Sequence, residues 1–207
     1  MPPSQHNAST RSILLQAATH KMHRNGFRAA SIDSILRKTG LTKGALYHHF
    51  RNKRALGYAA IDEVIGPHVL ERWVVPLHEI DDPVVKIIDM LQAAADRLTP
   101  EDILLGCALN NLAQEMSPVD SAFRMRVHRV FNEWHKGFEM ALSHGQTQGT
   151  VKSDVDTASA ASFIIAAIEG CLGMAKNAQS PEMLNACAHT FRQFLMGLRP
   201  DSSGAKK

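Results

Sequence analysis

The chain has 207 residues, 44% of them hydrophobic and 21% charged, enough for one large domain, or a small and a larger one, around a buried core. Cys107, Cys171 and Cys187 are odd in number, widely spaced and form no C-x-x-C, so no disulfide framework or zinc site is suggested and a reducing cytoplasm fits. The net charge of +3 hides a split: residues 1–60 hold ten Lys and Arg against one acid, Asp33, leaving thirteen basic against nineteen acidic residues beyond them. A basic head on an acidic body is the electrostatic footprint of a polyanionic partner, nucleic acid first and an anionic membrane surface second.

Apolar spacing is helical almost throughout, and no strand-type alternation of useful length occurs. The opening MPPSQHNASTR is polar, carries no secretory pattern and is expected to fray, with order from about residue 9. Ile13, Leu14, Ala17, Ala18 and Met22 then form one stripe, with Ser9 or Thr10 to cap its start and Gly26 to end it, and Phe27 folding back. Ser31 caps a short second helix with Ile32, Ile35 and Leu36 inward, and Thr39-Gly40 stops it. Thr42 caps a third, with Leu46 and Phe50 buried. Asn52 caps a fourth that runs through Ile65, with a kink expected near Gly66-Pro67 and an end near Pro76. After a linker at 79–83, helices are expected at about 84–98, 102–116, 119–148, 154–178 and 181–198, and the tail 199–207 as disordered. The stretch 157–175 is the best membrane candidate, but it is rich in Ala, Gly and Ser and carries Glu169, so it reads as a helix buried between protein surfaces.

Two short helices separated by a Gly-containing turn and braced by a longer one describe a helix-turn-helix. Neither short helix is stable alone, so Leu36, Leu41, Leu46 and Phe50 must pack on the first helix to hold the pair. The run GLTKGALYHHFRNK then has the chemistry of a recognition helix. The Thr42 hydroxyl and the free N–H groups suit a phosphate, and Gly44 and Ala45 let the backbone approach base edges. Lys43 can reach a base acceptor or a phosphate. Tyr47, His48 and His49 can donate to phosphates or stack at the groove wall, and Lys53 can clamp the backbone from the far side. A metal at His48-His49 is poorly supported, because neighbours on a helix diverge by about 100°. His20 and His23 have better spacing and no evident partner.

Residues 13–56 resemble the DNA-binding domain of the TetR family of bacterial transcriptional regulators: ILLQAATHKMHRNGF its first helix, ASIDSILRKTGLTKGALYHHF its helix-turn-helix, and RNKRAL the start of its fourth helix. The resemblance covers about a fifth of the chain. It implies DNA contacts at Arg28, Ser31, Thr42, Lys43, Gly44, Ala45, Tyr47, His48, His49 and Lys53, with His48 standing where many members carry Tyr. It also implies an all-α fold: an N-terminal three-helix DNA-binding domain at 1–56 and a helical effector-binding and dimerisation domain at 57–198. The last two helices would pair with their symmetry mates in a homodimer, and Phe163, Ile164, Ala167, Phe191, Phe194 and Leu195 are the expected interface positions.

Within the body, LLGCALNNLAQEM mixes amides with apolar positions. Met90, Cys107, Asn110, Asn111, Phe123, Trp134 and Phe138 are the candidate lining of an effector pocket, each with a structural role as its alternative. The expected function is a cytoplasmic, ligand-responsive repressor that binds a palindromic operator in duplex DNA and needs no cofactor, metal or membrane. The alternatives are a thiol sensor through Cys107, a transcriptional activator, or a DNA-binding protein without an effector. An enzyme is disfavoured: Glu115, Glu169 and the eleven histidines show no catalytic spacing, and no Gly-rich phosphate loop, H-E-x-x-H or G-x-S-x-G occurs.

Overall fold

The structure, a computed structural model, describes residues 9–201; the remainder of the polar opening and of the tail, where fraying and disorder are expected from the sequence, lies outside them. The described residues are helical and contain no strand. They form two compact units, one of residues 9–68 with 108–128, the other of residues 69–107 with 129–201.

In the first unit, α1 (Thr10–Asn25) packs against α2 (Ile32–Leu36), α3 (Lys43–His49) and α4 (Lys53–Ala60). Each helix begins where a side-chain oxygen satisfies an otherwise orphan N–H group. Ser9 accepts from Ser12 N, Ser31 from Ser34 N, Thr42 from Ala45 N and Asn52 from Ala55 N. Gly26 ends α1 at φ +80°, its N–H donating to Met22 O. Leu14, Leu15, Ala18 and Met22 of α1 are buried, as are Leu36, Leu46 and Phe50 of the helix-turn-helix and Leu56 of α4.

This unit also takes α8 (Ala108–Met116) and the beginning of α9 (Ser121–Thr147), up to residue 128. The Phe123 ring is fully buried, edge-on to Phe27 at 4.6 Å and to Tyr58 at 4.9 Å. Gly57 lies between two of these rings: a Cβ there would stand 2.6 Å from Phe27 Cε2 and 2.8 Å from Phe123 Cζ.

The fourth helix differs from its sequence expectation in how it handles Pro67. Instead of a simple kink there is a π-turn at Ile61–Ile65, where Gly66 N–H donates to Ile61 O five residues back, before α5 (Gly66–Trp73) begins. The helix runs on through this wider turn, and Pro67, which has no N–H to give to the helix ladder, follows it directly. The helix expected at 102–116 is two helices: α7 (Pro100–Leu105), opened by a Thr99/Asp102 capping box, and α8. Gly106 separates them at φ +64°, a conformation that its lack of a Cβ permits, and its N–H closes α7 onto Asp102 O at 2.8 Å.

In the second unit, α10 (Thr157–Ala178) packs on α7 and α11 (Glu182–Gly197), and α11 on α6 (Pro83–Asp96). By length and composition α10 could cross a membrane, but Glu169 is buried in it. Trp73 stacks on Trp134 at 5.7 Å, with Phe131 and Phe138 around the same indole at 6.2 and 6.1 Å. A Cβ on Gly137 would stand 2.5 Å from Val74 Cγ1, so the glycine is what lets α9 lie against that segment.

Replacing Gly57 with Ala tests the ring contact. Helix propensity alone favours Ala by about 1 kcal/mol, whereas overpacking costs about 1–3 kcal/mol. Urea unfolding is expected to show a net loss of stability; equal or greater stability in G57A would mean that the two rings yield.

Candidate nucleic-acid interface

The turn from α2 to α3 is held by local bonds. Thr39 N–H and hydroxyl both donate to Leu36 O, and Leu41 N–H donates back to Thr39 Oγ1. With Leu46 and Phe50 turned into the core, α3 presents Thr42, Lys43, Gly44, Tyr47, His48 and His49 to solvent, Tyr47 being half exposed at 50%. Ala45 is half-buried, while Arg28 and Ser31 are exposed. The structure therefore gathers most of the expected contact residues on one exposed surface of α3. The His48 and His49 rings meet edge-on at 5.0 Å, and among the described residues no group of three or more His, Cys, Asp or Glu could hold a metal ion.

Two of the expected DNA-contacting cations already have protein partners. Lys53 Nζ donates to Arg28 O at 3.0 Å and lies 4.7 Å from the Phe27 ring centroid. Burial pulls its pKa below the ordinary lysine value, and the charge of Glu115 pulls the other way. It secures the loop before α2 as well as facing outward. Lys43 Nζ lies 2.8 Å from Asp33 Oδ1, and that bond holds its pKa above the ordinary lysine value.

Two carboxylates distant in sequence brace the head, and sequence reading misses both. Glu115 accepts from Phe27 N at 2.7 Å and from Arg28 N at 2.8 Å, filling the space where a Cβ on Gly26 would go. Asp120 accepts from Ala122 N and Phe123 N at the start of α9 and from the Tyr58 hydroxyl at 3.1 Å, with Arg54 Nε at 3.5 Å. An Asp just before a helix is a readable cap; that it also receives Tyr58 has no local signal. Farther along, Arg11 pairs with Glu63 and lies over the Phe50 ring, and Arg126 pairs with Asp62 at 3.0 Å.

The candidate effector residues are divided between the units. Asn110, Asn111 and Phe123 belong to the first, Phe123 as a core ring of the head; Met90, Cys107, Trp134 and Phe138 belong to the second. Of the latter, Trp134 and Phe138 are in ring contact, and Cys107 immediately precedes α8. Of the expected interface positions, Ile164, Phe191 and Leu195 are buried within the protomer itself. Phe163 is 51% exposed, and Ala167 and Phe194 are half-buried.

A helix-turn-helix with an acid-poor, exposed second helix defines the class: a DNA-binding transcriptional regulator. Comparison with known proteins gives the family. The model of bacterial regulatory proteins of the tetR family matches residues 14–60, and that of the LmrA/YxaF-like transcriptional regulator C-terminal domain matches residues 83–190. The chain belongs to the TetR family. Among its relatives, the HTH-type transcriptional repressor DhaR of Mycobacterium sp. (strain GP1) is 24% identical over 182 residues, covering 84% of this chain and 86% of that protein. The A-factor receptor protein of Streptomyces griseus is 27% identical over 162 residues, 76% of this chain and 51% of that protein. A TetR transcriptional regulator from Chloroflexus aurantiacus J-10-FL superposes with a TM-score of 0.80 at 28% identity, over 92% of this chain and 96% of its own.

Asp120 makes the stability of the head pH-dependent. Burial alone would raise its pKa, but the Phe123 N–H, the Tyr58 hydroxyl, the Ala122 N–H and Arg54 together hold it below the ordinary value. A carboxylate depressed in the folded state stabilises fully above its unfolded pKa, about 3.9, and that contribution is lost as pH falls through the folded value. D120N is expected to be less stable than wild type at pH 7 and to converge on it in acid. A constant stability gap down to about pH 2 would show that the carboxylate's ionisation is not what matters.

Proposed function

We propose that the protein is a cytoplasmic repressor that binds a palindromic operator as a homodimer, through the α3 surface, and is released by a small-molecule effector acting on the second unit. The observation that carries the DNA-binding part is the exposure of Thr42, Lys43, Gly44, Tyr47, His48 and His49, set in a head whose first sixty residues hold a single acid. Small residues at Gly44 and Ala45 suit close approach to base edges, while Tyr47, His48 and His49 suit phosphates. The repressor reading is supported by the name of the DhaR relative.

The dimer reading is supported by an apolar surface left open on α10 and α11. The exposed Phe163 ring meets Phe194 at 4.5 Å, beside Ala166, Gly170 and Gly173, with Met174 51% exposed. Small residues there permit close helix approach, and a two-fold partner would cover the rings. The effector reading is supported by the aromatic cluster of Trp73, Phe131, Trp134 and Phe138. Trp134 Nε1 is buried there with no hydrogen-bond partner among the described residues. A buried donor without an acceptor costs about 1–3 kcal/mol, so a flat apolar effector carrying an acceptor would relieve it. To swing the dimer between bound and released states from 1:99 to 99:1, the effector must distinguish them by about 5.5 kcal/mol.

The central test uses duplex DNA enriched by the wild-type protein from a random-sequence pool. K43A and Y47A are each expected to weaken binding to that duplex by about tenfold or more, with wild-type affinity falling about 10³- to 10⁵-fold between 50 and 200 mM salt if six to ten phosphates are engaged. Unaltered affinity in both variants would remove α3 as the contact surface. For the dimer, Phe163→Glu is expected to yield monomers in sedimentation at micromolar concentration, and an intact dimer would place the interface elsewhere.

A further inference from the structure

Asp33 is the sole acidic residue in residues 1–60, and it sits on the surface that the DNA-binding reading assigns to phosphate and base edges. Its position is fixed by the first turn of α2, where Ser31 accepts from Ser34 N, Ser34 Oγ donates to Ser31 O, and Arg37 N–H donates to Asp33 O. From there its Oδ1 reaches Lys43 Nζ, the first residue of α3, at 2.8 Å. The two side chains thus join the helices of the helix-turn-helix across their exposed side, 69% and 57% accessible. A pair so exposed adds little to stability. Its placement matters more for what Lys43 can touch.

A lysine ammonium on a free four-carbon stem takes any phosphate within reach, and every duplex offers phosphates regardless of sequence. Bound to Asp33, the ammonium still has two donors, but its position is confined to the α2–α3 side, and the pair adds no net charge to the head. We propose that Asp33 is a specificity-determining residue of the DNA-binding head: it removes Lys43 from sequence-blind phosphate attraction and confines its remaining donors to a base-edge acceptor presented by the correct groove. This inference rests on the reading that the α3 surface meets DNA. It assigns the lone acid of the head a role in discrimination, since a carboxylate on a basic DNA-facing surface lowers affinity for all sequences unless it is repaid by selectivity for one.

The test compares full-length wild type, D33N, K43A and D33N/K43A on two probes of equal length: the duplex enriched by the wild type from a random pool, and a scrambled duplex of the same composition. With Lys43 freed, D33N is expected to bind the scrambled duplex about three- to tenfold more tightly, its salt dependence steepening by about 0.9 per head. Affinity for the enriched duplex is expected to stay within about twofold, so the ratio between probes falls. In the K43A background the gain from D33N on scrambled DNA should drop below about twofold. Thermal melting of each variant reads folding separately. The proposal is overturned if D33N tightens both probes by the same factor, changes neither, or keeps its full effect without Lys43. A K43A protein that binds both probes like wild type overturns the Asp33 proposal, and the α3 reading falls with it only if Y47A is unaltered as well, whereas equal action of D33N on both probes while K43A is impaired overturns the Asp33 proposal alone.

Discussion

The absence of a side chain at Gly57 sets the spacing on which the first unit depends. Because no Cβ fits there, α4 comes close enough for Phe27 and Phe123 to close over it. Phe27 begins the segment that leads into α2, and Phe123 lies in the first turn of α9, so one contact joins the helix-turn-helix to a part of the chain almost a hundred residues later. Tyr58, the next residue of α4, meets the same Phe123 ring and donates a hydrogen bond from its hydroxyl to Asp120. Packing and polar satisfaction coincide at this point, which makes the contact directional as well as apolar.

Around that contact the head manages its charge. It is strongly basic, yet several cations are engaged by protein groups: Lys53 by a carbonyl and an aromatic face, Lys43 by Asp33, Arg11 by Glu63, Arg54 by Asp120. The acids beyond residue 60 that take part come from the π-turn, α8 and the segment before α9. The basic head and acidic body visible in composition are therefore interleaved in space, since Glu63, Glu115 and Asp120 belong to the same unit as the helix-turn-helix.

The features legible in the sequence are those with local causes. Ser31, Thr42 and Asn52 announce the starts of α2, α3 and α4 because a cap acts over three residues, and Ser9 does the same for α1. Leu46 and Phe50 reveal the inner side of α3 by spacing alone, which leaves Tyr47, His48 and His49 outside. Gly106 was hidden by periodicity, since apolar residues recur across it as they would in one continuous helix. The π-turn before Pro67 has no composition of its own to mark it. The candidate effector residues share chemistry but not location: Phe123 serves the head's core, while Trp134 and Phe138 cluster in the other unit. Side-chain type reports what a residue can do, and long-range packing decides with which neighbours.

The Glu115 carboxylate occupies the volume beside Gly26, its Oε2 2.9 Å from where a Cβ would be, while accepting from the two amides that follow. The two positions, 89 apart in the chain, are therefore coupled in their evolutionary freedom. While the glutamate remains, a side chain at 26 must also push the carboxylate away from the two amides it serves; once the glutamate is lost, only the positive φ at 26, which glycine adopts without strain, still favours glycine. In a set of homologous chains, the glutamate should almost never appear opposite a bulkier residue, and departures from glycine should follow its loss rather than precede it.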